Sequence, residues 1–313
     1  MAHTARIQEI PVQSTDGHTS LHVVVWWPEQ EVRGIVQLVH GMAEHIMRYD
    51  RFARFLCERG YAVVGHDHVG HGKSVESTND WGCMSAKEGK SVLVGDVGRV
   101  RRAMLEHTGV RHPYFLFGHS MGSFVARSYI AACGEGLDGA IICGTGHVQP
   151  ALSAVGNLAA RAIGRVRGER YVSKLLGDIS IGAYSKAIDD PRTPLDWLSH
   201  NEQNVDDYIA DPQCGFPFSA GGNATLTALT REVCTPACCA RVPHDLPLLY
   251  VAGDGDPVGD MGEGVRTAAK MAEDAGSTDV TCTIYEGMRH EILNETDARR
   301  VMEDIATWME ERA

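Results

Sequence analysis

Short runs of Val, Ile, Leu and aromatic residues recur along the chain, alternating with longer stretches in which apolar residues return every three or four positions. The first pattern suits strands buried on both faces, the second amphipathic helices. RIQEIPVQ (6–13) and SLHVVVWWP (20–28), separated by the turn-forming STDG, predict an opening antiparallel pair. RGIVQLVHG, YAVVGHD, YFLFGHS, DGAIICGTG, PLLYVAGDGD and DVTCTIYEG predict six further strands, each running out into Gly, His or Asp. Helical patterns at 48–60, 91–109, 120–133, 262–276 and 297–312 fall between or after them, most closed by a Gly. Strands alternating with helices predict an α/β fold, a mostly parallel central sheet with helices on both faces. In such sheets ligands bind beyond the carboxyl ends of the strands, where these polar residues cluster.

The rhythm breaks between 147 and 243, where no convincing strand occurs. ALSAVGNLAARAIGRV carries Leu152, Val155, Ala159, Ala162 and Val166 close to one stripe of a 3.6-residue period. LDWLSHNEQNVDDYI and the loop-rich CGFPFSAGGNATL follow, and the strand pattern then resumes. The expected organisation is an α/β core in two parts, 1–146 and 244–313, with 147–243 a mainly helical lid across the sheet's carboxyl edge. A separate helical domain is the alternative.

Composition narrows the function. A chain of 313 residues with 43% hydrophobic content supports a well-buried core, and the net charge of −12 argues against nucleic acid, which demands clustered cations. The N-terminal segment has no basic stretch leading into an apolar run, and no window reaches the roughly 18 apolar residues of a membrane span, so a soluble, cytoplasmic protein is expected. Nine cysteines in that setting read as reduced thiols. Cys234, Cys238 and Cys239 cluster but lack the second pair that structural zinc modules present.

The chemistry is concentrated in three places. Gly118-His119-Ser120-Met121-Gly122 sits where a buried strand meets an amphipathic helix, and a sharp strand-to-helix turn needs small residues two before and two after a nucleophile. Ser120 then requires a base and the base an orienting carboxylate. Asp256 and His290 follow in that order past two later strands; Asp256 is preferred because Pro257 fixes the turn after it, with Asp254 the alternative. The backbone N–H groups of Met121 and of Met42, in the loop after an early strand, are the expected oxyanion donors.

HGMAEHIMRYD, HDHVGHGKS, FGHSMGS, GDGDPVG and YEGMRHEILNE, spread from residue 40 to 295, together make the chain resemble the α/β-hydrolases of the monoacylglycerol lipase and lysophospholipase group. The resemblance implies the α/β-hydrolase fold and a serine carboxylester hydrolase acting on single-chain acyl esters through an acyl-enzyme on Ser120, with no cofactor or metal. It also nominates Glu44 and Arg48 near the headgroup, with a mutual ion pair as their alternative role. Val69 stands where many relatives carry Arg. Leu152, Val155, Phe216 and Phe218 are candidates for an acyl channel, and Arg161, Arg165 and Arg167 for transient contact with a lipid surface.

Three competing readings remain at this level: an aminopeptidase or acyltransferase on the same scaffold, a non-catalytic ligand-binding protein, and a metallohydrolase on His66, His68 and His71. The last lacks the Asp that its HxHxxH motif needs before the final His, where Gly70 stands. The histidines of HDHVGHGKS are therefore expected to be neutral groups in a tight loop beside the site.

Overall fold

The computed structural model describes residues 5–179 and 181–313. Eight strands form one sheet: β1 (Arg6–Gln13), β2 (Ser20–Trp27), β3 (Gly34–Val39), β4 (Tyr61–His66), β5 (Tyr114–His119), β6 (Gly139–Cys143), β7 (Leu248–Gly253) and β8 (Val280–Tyr285). Their order is β1-β2-β4-β3-β5-β6-β7-β8; β2 is antiparallel to β1 and β4, and every other pairing is parallel. Every residue of β3, β4, β5, β6 and β7 is buried, which is why these strands read as continuous apolar runs.

Helices cover both faces. On one side α2 (Gly89–Thr108), α3 (Met121–Cys133), α8 (Ala220–Val233) and α10 (Glu263–Asp274) contribute Val97, Phe124, Leu229 and Val265 to the larger core. On the other, α1 (Asp50–Cys57) and α11 (Ala298–Glu310) bring Phe52, Leu56, Val301 and Ile305 against Phe115, Phe117 and Ile141. The order reverses between β3 and β5, so the loops leaving these strands diverge and open a crevice.

Between β6 and β7 the chain is helical, with α4 (Pro150–Arg167), α5 (Lys174–Ile179), α6 (Ile181–Ser185), α7 (Glu202–Ala210), α8 and the single turn α9 (Pro236–Cys239). The expected loop over 214–226 instead contains the start of α8. Ser219 caps it by accepting from the Gly222 amide, and Gly221 and Gly222 are small because a Cβ there would meet the Met84 and Gly82 carbonyls at 2.0 and 2.5 Å. These glycines serve close packing, not a turn.

Helix α4 faces opposite to its apolar stripe. Leu152, Val155 and Val166 are 66%, 65% and 81% exposed, while Ser153, Asn157, Ala160 and Gly164 face inward. Small residues let α4 lie close on α8: Ser153 bonds Thr230 at 3.0 Å, Asn157 Nδ2 donates to the Ala224 carbonyl at 2.7 Å, and a Cβ on Gly164 would be 3.6 Å from that of Ala220. Among the described residues, no helix is long and apolar enough to cross a membrane.

Candidate active site

β5 delivers Ser120 into a turn that few side chains tolerate. Its φ of 53° and ψ of −120° lie outside the regions open to most L-residues, a strain of roughly 1–3 kcal/mol held by the surrounding structure. The Ser120 amide is anchored to the Cys143 carbonyl at 3.0 Å. Glycine is obligatory on either side: a Cβ on Gly118 would meet the Gly122 carbonyl at 2.4 Å, and one on Gly122 the Val39 carbonyl at 2.1 Å. The turn leaves Ser120 half-buried at the amino end of α3.

Asp256 and His290 arrive from the loops after β7 and β8. His290 Nδ1 and Asp256 Oδ2 are 2.9 Å apart, and Asp256 Oδ1 accepts from the Val258 amide at 2.9 Å. Both residues are buried. Burial pushes the His290 imidazole toward the neutral form, but the Asp256 charge and hydrogen bond outweigh it and hold its pKa above the ordinary value. Asp254 is exposed and accepts from the Gly287 amide at 2.8 Å, bracing the turn that leads to His290; it is Asp256 that faces the imidazole.

The loop after β3 closes the other side. A Cβ on Gly41 would lie 3.1 Å from that of Ser120, so Met42 follows directly beside the serine, and Met42 and Met121 both line the cleft that contains Ser120 and His290. His40 shapes this loop, its Nδ1 2.8 Å from the Gly41 carbonyl and its Nε2 accepting from the His68 amide at 3.0 Å. Ala43, at φ 52°, has its carbonyl clamped by the Tyr208 hydroxyl at 2.8 Å and the Gly215 amide at 2.9 Å.

The cleft takes its opposite wall from the helical segment, chiefly Tyr184, Leu195, Trp197, Leu198, Tyr208 and Leu226. The four acyl-channel candidates are not among its lining. Leu152 and Val155 point into solvent because α4 turns its small residues inward, and Phe216 and Phe218 pack against His71, with Phe216 also stacked on Trp81. Tyr184, Trp197 and Tyr208 escaped sequence reasoning: Tyr184 sits on α6, Trp197 on a single helical turn and Tyr208 on α7, elements too short for one aromatic to stand out as periodic.

Glu44 does line the cleft, but its oxygens are engaged. Oε1 accepts from the Gly41 amide at 2.5 Å and the Tyr49 hydroxyl at 2.9 Å, and Oε2 from Arg48 at 2.8 Å. Arg48 also forks onto Glu291, with Nη1–Oε1 at 2.6 Å and Nη2–Oε2 at 2.7 Å, while Asn204 Nδ2 donates to Glu291 Oε2 at 2.7 Å. Burial raises both carboxyls; Arg48 reverses this at Glu291, brought down to about 2, whereas Glu44 stays above its usual value. The ion-pair alternative for Glu44 and Arg48 is thus what the side chains form, with Glu291 as a third member.

The histidines of HDHVGHGKS lie buried beneath the loop after β3. His66 and His68 stack edge to face at 5.0 Å and His68 and His71 at 5.9 Å, and their nitrogens do not converge as a ligand set. Burial pushes His66 and His71 down to about 4. Asp67 organises the loop, accepting from the Ile46 and Lys73 amides at 2.7 and 2.8 Å and lying 2.8 Å from His22 Nδ1.

Known proteins resemble the chain over most of its length. A family model described as serine aminopeptidase, S33, matches residues 30–297. The monoacylglycerol lipase of Mycolicibacterium smegmatis is 27% identical over 91% of this chain and 91% of its own, and the monoglyceride lipase of Rattus norvegicus is 27% identical over 92% and 86%. A thermostable carboxyl esterase from Bacillus coagulans, solved in complex with glycerol, superposes with a TM-score of 0.90 at 31% identity over 99% of both chains.

Proposed function

The chain belongs to the serine aminopeptidase S33 family, as an α/β-hydrolase of the monoacylglycerol lipase group and a carboxylic ester hydrolase, and from that premise we propose that it cleaves single-chain acyl esters through an acyl-enzyme on Ser120. The observation that carries the reading is the meeting of a strained, half-buried Ser120 with the Asp256–His290 pair in one largely apolar cleft.

His290 Nε2 takes the Ser120 proton as Oγ attacks the ester carbonyl. The oxyanion is met by the Met42 and Met121 N–H groups, each worth roughly 3–4 kcal/mol on the scale of such donors. The imidazolium, stabilised by Asp256, passes its proton to the departing alcohol; a water activated by the same imidazole then releases the acid and restores Ser120. Strain at Ser120 keeps Oγ projecting from the turn before substrate arrives, so little reorganisation is left for the reaction itself.

The apolar wall suits an acyl chain, and the substrates proposed are monoacylglycerols and lysophospholipids. An aminopeptidase would need a free carboxylate to hold a terminal ammonium. Glu44 and Glu291 are the acidic residues lining the cleft among those described, and both are saturated by Arg48, Tyr49, Asn204 and a backbone amide.

Residues 147–243 act as the lid in this reading, with the outward stripe of α4 resting on the lipid surface that supplies substrate. Leu152, Val155 and Leu158 are 65–70% exposed, and burying each in an acyl layer gains roughly 1.5 kcal/mol. Arg161 is spent on Asn157 and the Ala86 carbonyl and Arg167 lies over the Tyr171 ring, so exposed Arg165 adds its charge to the apolar stripe.

The test is a chain-length and headgroup series of monoacylglycerols and lysophospholipids, run with wild type and Ser120→Ala and joined to fluorophosphonate labelling. Labelling of Ser120 and turnover that vanishes in the variant are expected; folded protein that neither labels nor turns over any ester removes the mechanism. Leu152→Ser, Val155→Ser and Leu158→Ser combined should lower cosedimentation with phosphatidylcholine vesicles while leaving turnover of a soluble short-chain ester intact.

A further inference from the structure

His45, Asp211 and Cys214 bring three different donor atoms together outside the hydrolytic machinery. One ligand atom from each, an imidazole nitrogen, a carboxylate oxygen and the thiol sulfur, all lie within 4.8 Å of one another. His45 belongs to the loop after β3, and the other two follow α7. The frame holding them is independently fixed, because the Tyr208 hydroxyl and the Gly215 amide both bind the Ala43 carbonyl across the same two segments. His45 Nε2 already lies 2.8 Å from Asp211 Oδ2, and Asp211 Oδ1 is oriented by the Gln213 amide at 2.8 Å. The His45 and Asp211 side chains are 11% and 29% exposed, which shields the cluster while leaving an entry from solvent.

Zinc bonds of about 2.0–2.3 Å in a tetrahedron put neighbouring donors roughly 3.3–3.6 Å apart. Donors already within 4.8 Å of one another need approach by only about 1 Å to reach that spacing. We propose that His45, Asp211 and Cys214 form a three-ligand site for a zinc-class divalent cation, with water in the fourth position. Thiolate and imidazole together favour zinc or cobalt over magnesium or calcium, which seek oxygen alone. On coordination the Cys214 S–H bond is replaced by a metal–sulfur bond and its proton leaves to solvent. The His45 proton moves to Nδ1, freeing the Nε2 lone pair, and one carboxylate and one thiolate balance the dication. The bound ion staples the loop carrying the Met42 amide to the segment after α7, and it takes no part in ester cleavage.

Titrating metal-free protein with Co²⁺ alone tests this. One equivalent should produce a thiolate-to-cobalt absorption in the near ultraviolet, be displaced by Zn²⁺, and raise the thermal midpoint. Cys214→Ser should abolish the band and the thermal shift, and His45→Gln should weaken binding at least ~10-fold, both variants keeping wild-type circular dichroism. Absence of the band in wild type overturns the proposal. So does a band that survives Cys214→Ser and disappears in Cys238→Ser, which would place the metal on the Cys234, Cys238 and Cys239 cluster.

Discussion

Arg48 and Glu291, 243 residues apart in sequence, form a two-bonded ion pair at 2.6 and 2.7 Å that ties the loop after β3 to the residue following His290. The Met42 side and the His290 side of the cleft are thereby held in one frame, with Asn204 adding the helical segment.

Replacing Arg48 by Met removes the only cation shared by Glu44 and Glu291 among the described residues and strands two buried carboxylates. Breaking a buried pair in this way costs about 3–5 kcal/mol, so the urea midpoint should fall steeply. Activity at temperatures where the variant stays folded should fall as well, because the two loops lose their common anchor. An unchanged midpoint would show that the pair holds nothing in place.

Ser120→Ala should lose about 10⁴-fold or more in kcat/KM on every ester, measured with a p-nitrophenyl ester and a monoacylglycerol. The alanine inherits the positive φ, so the thermal midpoint should move little.

The pH profile follows from His290, which must be neutral to accept a proton. Its pKa lies above 6.5, so kcat/KM should rise with pH through an apparent pKa above that value. Its effect on stability has the opposite sense: the stabilisation is full below 6.5, where the imidazolium pairs with Asp256, and is lost as pH rises through the folded value. Asp256→Asn removes the main opposition to burial, leaving the charges of Glu291 and Glu44, so its acid limb should move downward while the rate falls steeply.

His66 behaves in reverse. Held at about 4 by burial, with neither ring nitrogen finding a partner among the described residues, it stays neutral while the unfolded chain takes up protons. It adds nothing to pH dependence above 6.5 and destabilises the fold as pH falls from there toward 4, by up to about 1.4 kcal/mol per pH unit. Urea midpoints of His66→Phe should depend less on pH over this window than those of wild type. Equal slopes would mean that the ring is protonated in the folded protein.

The sheet was readable because strands buried on both faces carry their apolar residues without interruption. The order of Ser120, Asp256 and His290 was readable because each follows a strand. The facing of α4 was not, since periodicity locates a stripe but not the side that meets the protein. There the inward side was chosen by Ser153, Asn157, Ala160 and Gly164, whose small volume permits close approach to α8. Glu291 was hidden by distance in sequence, although it adjoins His290, and the aromatic wall of Tyr184, Trp197 and Tyr208 because each sits on a separate short helix or helical turn, too brief to carry a periodic signal.

The glycines beside Ser120 bear on how such a protein can diversify. Positions 118 and 122 leave no room for even one methyl group, and Gly41 is confined between Glu44 and Ser120. Drift or laboratory selection toward other acids and alcohols has no foothold there. Room for variation lies on the far wall, at positions such as Tyr184, Leu195 and Leu226, which line the cleft from the helical segment and do not belong to the turn around Ser120.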